Sequence, residues 1–278
     1  MNFVNSNLPP TEQLGPLADL EQRSIAELTA AMHAHNGAVQ RGVEAAIPAL
    51  NQFVEALVPR MKQGGRLFYI GAGTSGRLGV MDASECPPTF GVSTDRVIGL
   101  IAGGDGALRL AVEGAEDDIA AAWKDLTPYQ PNPHDTIIGI AASGRTPYVI
   151  GGLHEARGAG LLTACITCNP SSAVEQEAEH ALVAVTGGEF VTGSTRLNAG
   201  TATKLLLNMI TTVAMIQLGH VQGSRMVDMQ PTNVKLMERG QRMIVDATGV
   251  SNDSALKALE RAGNVRDAIK QIQDDAHA

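Results

Sequence analysis

Five times along the chain, a short apolar run ends in glycine or another small residue. The runs are RLFYIGAG (66–73), RVIGLIAGG (96–104), DTIIGIAAS (135–143), LLTACITC (161–168) and HALVAVTGG (180–188). Runs of this length with little polar alternation fit strands buried on both faces. Between them stand stretches that can be helical: SGRLGVMDAS, ALRLAVEGAEDDIAAAWKDL and TPYVIGGLHEARGAG. Strands that alternate with helices imply an α/β fold, with a doubly wound parallel sheet of five strands covered on both faces. Ligands in such folds bind at the carboxyl ends of the strands, and the small-residue ends all lie at that edge. Aromatic residues make up only 3% of the 278, so the core falls to Ala, Val, Ile and Leu.

Helices flank this unit. Residues 17–64 carry apolar positions at helical spacing, with Gly64–Gly65 as the stop. A long helix beginning near NAGTATKLLLNMITTVAMIQLGH closes the core. The tail from about Val221 is polar and helical, with Ser251 or Asn252 as an N-cap. The expected organisation is therefore N-terminal helices over 1–64 packing on the core, a sheet domain over 65–220, and a C-terminal helical appendage over 221–278.

Net charge is −8, which argues against nucleic-acid and membrane-surface partners but not against a small anion held by a few local groups. The N-terminus has no basic region followed by an apolar run, and no stretch approaches 18 uninterrupted apolar residues. The three cysteines, Cys86, Cys165 and Cys168, offer no disulfide framework, so the expected location is the cytoplasm. CITC closes an apolar run and has no second pair of ligands, which makes Cys165 and Cys168 buried strand residues and implies no metal.

Ser75-Gly76-Arg77 follows the first strand, and Ser143-Gly144-Arg145 follows the third. Amides at a helix N-terminus, serine hydroxyls and an arginine together suit a phosphate or sugar phosphate. The competing reading is N-capping by the serines alone. A third polar strand end, VTGSTRLNAGTATK (191–204), offers Thr192, Ser194, Thr195 and Arg196, and capping suffices for it. Gly71 to Gly76 matches GxGxxG, yet a dinucleotide site also wants an acidic residue at the end of the second strand. Asp95 precedes that strand and Asp105 lies too far along, so nicotinamide or flavin binding is disfavoured.

Two carboxylate regions stand out. In MDASECPPTF (81–90), Pro87 and Pro88 should end a short helix, leaving Glu85 close to whatever GAGTSGR binds. A helix-end carboxylate bonded to local backbone is the plainer alternative. In AVEGAEDD (111–118), Glu113, Glu116, Asp117 and Asp118 read on their own as an exposed helix start. A sugar-phosphate enzyme needs a base for the hydrogen beside an opened aldehyde and an acid for the group that leaves or moves. Two carboxyls in different environments can divide those roles without metal or organic cofactor.

IGAGTSGRLGVMDASECPPTFG, IAGG, EGAEDD, AASGRTPYVIGGL, TGSTRLNAGTATKLLLNMI and VDMQPTNVKL together closely resemble the N-acetylmuramic acid 6-phosphate etherases, from LPPTEQL onward. Beyond about residue 240 the match is looser. The resemblance implies a sugar-isomerase-type (SIS) phosphosugar-binding fold over 65–220 and a homodimer with active sites near the subunit interface. It implies an amino-sugar phosphate substrate whose lactyl ether is cleaved to N-acetylglucosamine 6-phosphate and D-lactate, in cell-wall amino-sugar recycling. By family position, Glu85 protonates the ether oxygen and later serves as base for water. Glu116 matches the second acid, the base for the C2 hydrogen. Thr74, Ser75, Gly76, Arg77, Ser143, Gly144, Arg145 and Thr146 are then expected at the phosphate and sugar. Glu85 is expected in a poorly solvated spot that keeps it protonated. An aldose–ketose phosphosugar isomerase and a non-enzymatic sugar-phosphate sensor of the same fold are the rival readings.

Overall fold

The computed structural model describes residues 8–277. Five parallel strands, β1 (Leu67–Gly71), β2 (Val97–Ile101), β3 (Thr136–Ile140), β4 (Leu162–Thr167) and β5 (His180–Val183), form one sheet in the order β2-β1-β3-β4-β5. Every residue of β1, β3 and β4 is buried, as strands covered on both faces require. All five strands fall inside the apolar runs that foretold them. The register pairs Gly71 with Ile140 across β1 and β3, so these two neighbours end level with each other. Chain order reverses between them, which makes their carboxyl ends the switch point of the sheet.

The helices that serve this sheet are α1 (Ile25–His35), α2 (Gly37–Lys62), α3 (Gly73–Phe90), α4 (Ala121–Leu126), α5 (Pro147–Gly158), α6 (Ala173–Glu177) and α7 (Asn198–Gln217). Ser24 caps α1 through a capping box with Glu27. Helix α2 buries Val39, Val43, Leu50, Phe53, Leu57 and Met61, spaced by three, four or seven residues along one stripe. It stops at Gly64, whose φ of 89° needs glycine. Helix α7 is long and apolar enough to cross a membrane, yet more than half of that span is buried within the fold.

The chain divides into two compact units. One comprises the chain up to Ala83 together with Val97–Ile210, and the other comprises Ser84–Arg96 and Thr211–Ala278. In the second, α8 (Val234–Thr248), α9 (Asn252–Ala262) and α10 (Val265–His277) close on a small core that includes Val227, Met229, Ile244, Ala258, Leu259 and Val265. Asn233 caps α8 and Ser251 caps α9, each accepting a backbone N–H.

Two expectations are corrected. The residues after β2 do not form a helix over ALRLAVEGAEDDI; they form single 3-10 turns at Asp105–Leu108 and Ala115–Asp117 before the six-residue α4. Gly103, Gly104 and Gly114 all have positive φ, and Leu110 and Val112 are exposed, so the apparent helical spacing faces no core. The chain also does not turn at Pro87. Helix α3 runs through Pro87 and Pro88 to Phe90, closed by the Gly91 N–H to the Pro87 carbonyl at 2.9 Å. The prolines remove donors that would have bonded Ala83 and Ser84, but Ala83, Cys86 and Phe90 bury one face and keep the helix going.

Candidate functional site

Gly71 and Ala72 lead directly into α3, so Thr74, Ser75, Gly76 and Arg77 occupy its first turns rather than a loop before it. Gly76 is needed for packing. A Cβ there would lie 2.6 Å from both the Gly71 carbonyl oxygen and Ile101 Cγ1. Thr74 and Ser75 are half-buried on the turn whose amides have no intrahelical acceptor, and no acidic residue occupies that turn.

The second SGR does form a loop, between β3 and α5. Gly144 has φ 69°, and a Cβ on it would overlap Ser172 Cβ and Oγ. Asn169 holds this loop from below, donating to the Ser143 carbonyl at 3.1 Å and to Thr11 Oγ1 at 2.7 Å. Ser143 Oγ accepts the Arg145 N–H at 3.3 Å. Thr146 is the N-cap of α5, but its side chain makes no capping bond. Arg145 reaches outward to Glu12 at 3.2 Å in an exposed pair, which costs little to exchange for another anion. Because β1 and β3 are neighbours in register, two helix N-termini and two sets of hydroxyls stand side by side at the switch point.

On the other side of β1, a cavity of about 150 Å³ is lined by Ala72, Gly73, Arg77, Ala102, Glu113 and Glu116, among others. The structure thus brings Glu116 and Arg77 together, and adds Glu113. The Ser143–Thr146 loop does not line this cavity. Arg77 donates from Nη2 to the Ala107 carbonyl at 2.6 Å and from Nε to the Leu108 carbonyl at 2.9 Å, so two of its donors bind protein rather than facing an open site.

Glu85 differs from expectation in two ways. It lies within the helix rather than at its end or in a loop after it. It is also exposed, not desolvated.

Sequence reasoning missed Glu189. This fully buried carboxylate accepts the Asn198 and Ala199 N–H groups, each at 2.9 Å, and so caps α7. Its only signal was a lone glutamate in the otherwise apolar GGEF. The expected cap came from VTGSTR, whose Thr192 instead accepts the Gly15 N–H. The Glu189 carboxylate occupies this helix end, so an anion has no place there. Cys165 and Cys168 are buried, and burial pushes both thiols up to about 12. Among the described residues, no three His, Cys, Asp or Glu side chains converge to hold a metal ion.

The sheet order and its polar ligand edge define an SIS-type α/β domain. Residues 49–157 match the family model for the glucokinase regulatory protein N-terminal SIS domain. A phosphoheptose isomerase from Francisella tularensis superposes with a TM-score of 0.51 at 18% identity, covering 70% of this chain and 99% of that one. Another from Neisseria gonorrhoeae gives 0.51 at 15%, covering 69% and 98%. Sequence relatives carry the match further. A Christiangramia forsetii protein named N-acetylmuramic acid 6-phosphate etherase is 52% identical over 274 residues, 99% of this chain and 98% of its own length. A Yersinia pestis protein of the same name is 53% identical over 255 residues, covering 91% and 86%. The chain belongs to the N-acetylmuramic acid 6-phosphate etherase family.

Proposed function

We propose that the protein cleaves the D-lactyl ether of N-acetylmuramic acid 6-phosphate, giving N-acetylglucosamine 6-phosphate and D-lactate in the recycling of cell-wall amino sugars. Identity of 52% over 99% of the chain with a protein named for this substrate carries the reading. The two hydroxyl-bearing SGR segments, side by side at the switch point, support a phosphate there. Thr74, Ser75, Gly76, Ser143, Gly144, Arg145 and Thr146 surround it, with Arg77 close to the sugar.

With the sugar ring open, the Glu116 carboxylate takes the C2 hydrogen, whose acidity the aldehyde supplies. The electron pair forms a C2–C3 double bond as the C3–oxygen bond breaks, and the departing lactate oxygen takes a proton from Glu85. Water then adds at C3 while Glu85 takes its proton, and C2 regains the proton from Glu116. Each step is proton transfer with a carboxyl group, and each such group contributes on the order of 10²–10⁴-fold.

Acid catalysis at Glu85 needs bulk water kept from its carboxyl, and in the single chain that side chain is exposed. Covering by substrate and by a second copy of the chain meets that need, and α1, which buries no residue and exposes Ile25 at 83%, offers apolar surface for such a copy. A homodimer in the cytoplasm, where its three free thiols are stable, completes the proposal.

The test is release of D-lactate from N-acetylmuramic acid 6-phosphate in metal-free buffer, with Glu85→Gln alongside. Wild type should release lactate, whereas Glu85→Gln should bind the substrate without turnover. Interconversion of aldose and ketose phosphates without lactate would favour the isomerase, and binding without any turnover would favour the sensor.

A further inference from the structure

Glu113 and Glu116 line the cavity, yet neither side chain has a hydrogen bond or ion pair with another described residue. Glu116 stands in the single 3-10 turn Ala115–Asp117, just after Gly114 with φ 73°. Its position is therefore set by the backbone of residues 102–120, and that segment has few regular hydrogen bonds of its own. The Ala102 N–H bonds the Gly71 carbonyl and Ala115 packs against the core beside α5, and two further contacts from outside grip the segment, one near each end. From α3, the planar Arg77 fork bridges the consecutive carbonyls of Ala107 and Leu108. From α5, Gly151 has no Cβ where the Ile119 carbonyl oxygen lies, and any side chain there would overlap that oxygen. Gly152 likewise admits Ala122.

We infer that Arg77 and Gly151 are positioning residues for Glu116, fixing the segment that carries it from its two ends. The inference rests on the reading of Glu116 as the C2 base. It assigns Arg77 to the protein backbone first, and gives α5 a part in catalysis through the space that Gly151 leaves open. Lysine cannot replace Arg77, because a single ammonium lacks the fork that bridges two carbonyls. Alanine cannot replace Gly151 without moving the Ile119 carbonyl, and the base three residues before it. Displacement of a reacting group by about 1 Å can cost about 100-fold in rate.

The variants are Arg77→Lys, Arg77→Met and Gly151→Ala. Gly158→Ala is the control, since Gly158 lies in the same helix with nothing within 4 Å of its added Cβ. Lactate-release kinetics, the dissociation constant for N-acetylglucosamine 6-phosphate, and hydrogen exchange of the amides in 106–119 are measured on each folded protein. The three variants should lose at least about 10-fold in kcat, with the dissociation constant within about 3-fold of wild type and faster exchange confined to that segment. Gly158→Ala should match wild type. An Arg77→Lys loss carried by the dissociation constant, with exchange unchanged, would make Arg77 an anion ligand and overturn the inference. Wild-type kcat in Gly151→Ala would overturn it as well. Absence of lactate release by the wild type would refute the proposed reaction, while the exchange data would still decide whether the two contacts hold the segment.

Discussion

Asp135 starts at the amino edge of the sheet, and its removal gives a sharp test of what holds β1 against β3. Its carboxylate is fully buried and accepts from Arg66 three times: the backbone N–H at 2.8 Å, Nε at 3.1 Å and Nη2 at 2.6 Å. Asn132 adds its backbone N–H at 2.9 Å and its side-chain amide at 3.1 Å. Asp135→Asn keeps the shape but removes the charge facing Arg66, whose side chain is only 19% exposed, and turns an NH₂ donor toward groups that are themselves donors. Breaking one partner of a buried pair costs about 3–5 kcal/mol, a large part of a total of about 5–15 kcal/mol. At roughly 2–4 °C per kcal/mol for a chain of this size, the melting temperature should fall by about 10 °C. Urea denaturation followed by circular dichroism at pH 7 measures the loss. Burial alone would raise the Asp135 pKa, but the Arg66 and Asn132 hydrogen bonds outweigh it and hold the carboxyl below its ordinary value. With the folded pKa depressed, the contribution is present above the unfolded value of about 4 and is lost as pH falls through the folded one. The gap between variant and wild type should thus close in acid. Because Asp135 lies at the edge opposite the site, kcat of the folded variant should be unchanged. A cost below about 1 kcal/mol at pH 7, or a gap that widens in acid, would refute this account.

Gly144→Ala must hold a side chain at φ 69° against Ser172, and should destabilise by more than the 1–2 kcal/mol of left-handed strain while raising KM for the phosphorylated substrate; wild-type stability and KM would show the loop to be yielding. Glu189→Ala leaves the Asn198 and Ala199 amides without their buried acceptor, and should cost about 1–3 kcal/mol in thermal or urea unfolding. A disulfide reagent at pH 8 should label none of the three thiols in the native protein and all three in urea, because all three are buried and burial pushes the Cys165 and Cys168 thiols up to about 12. Rapid native labelling together with loss of activity would place a reactive thiol near the site.

The strands were legible in the local sequence, because burial on both faces leaves a short run rich in apolar residues that ends in small ones. The sequence also offered Ser251 or Asn252 as a cap, and Ser251 takes that place because the bond it makes reaches only three residues along the chain. Strand order left no such mark. Packing in three dimensions set β3 beside β1, and that adjacency brings together two SGR segments 68 residues apart along the chain. The acidic run and the prolines were misread for a related reason. Apolar spacing after β2 suggested a helix, but Leu110 and Val112 found no surface to cover. Pro87 and Pro88 suggested a turn, but Ala83, Cys86 and Phe90 found one, and their burial outweighed two missing donors. Local propensity decides where a chain can bend; what it packs against decides whether it does. The same dependence hid the part of Gly151, whose importance lies in a carbonyl 32 residues earlier in the chain, and that of Arg77, whose guanidinium is committed to backbone no motif could reveal.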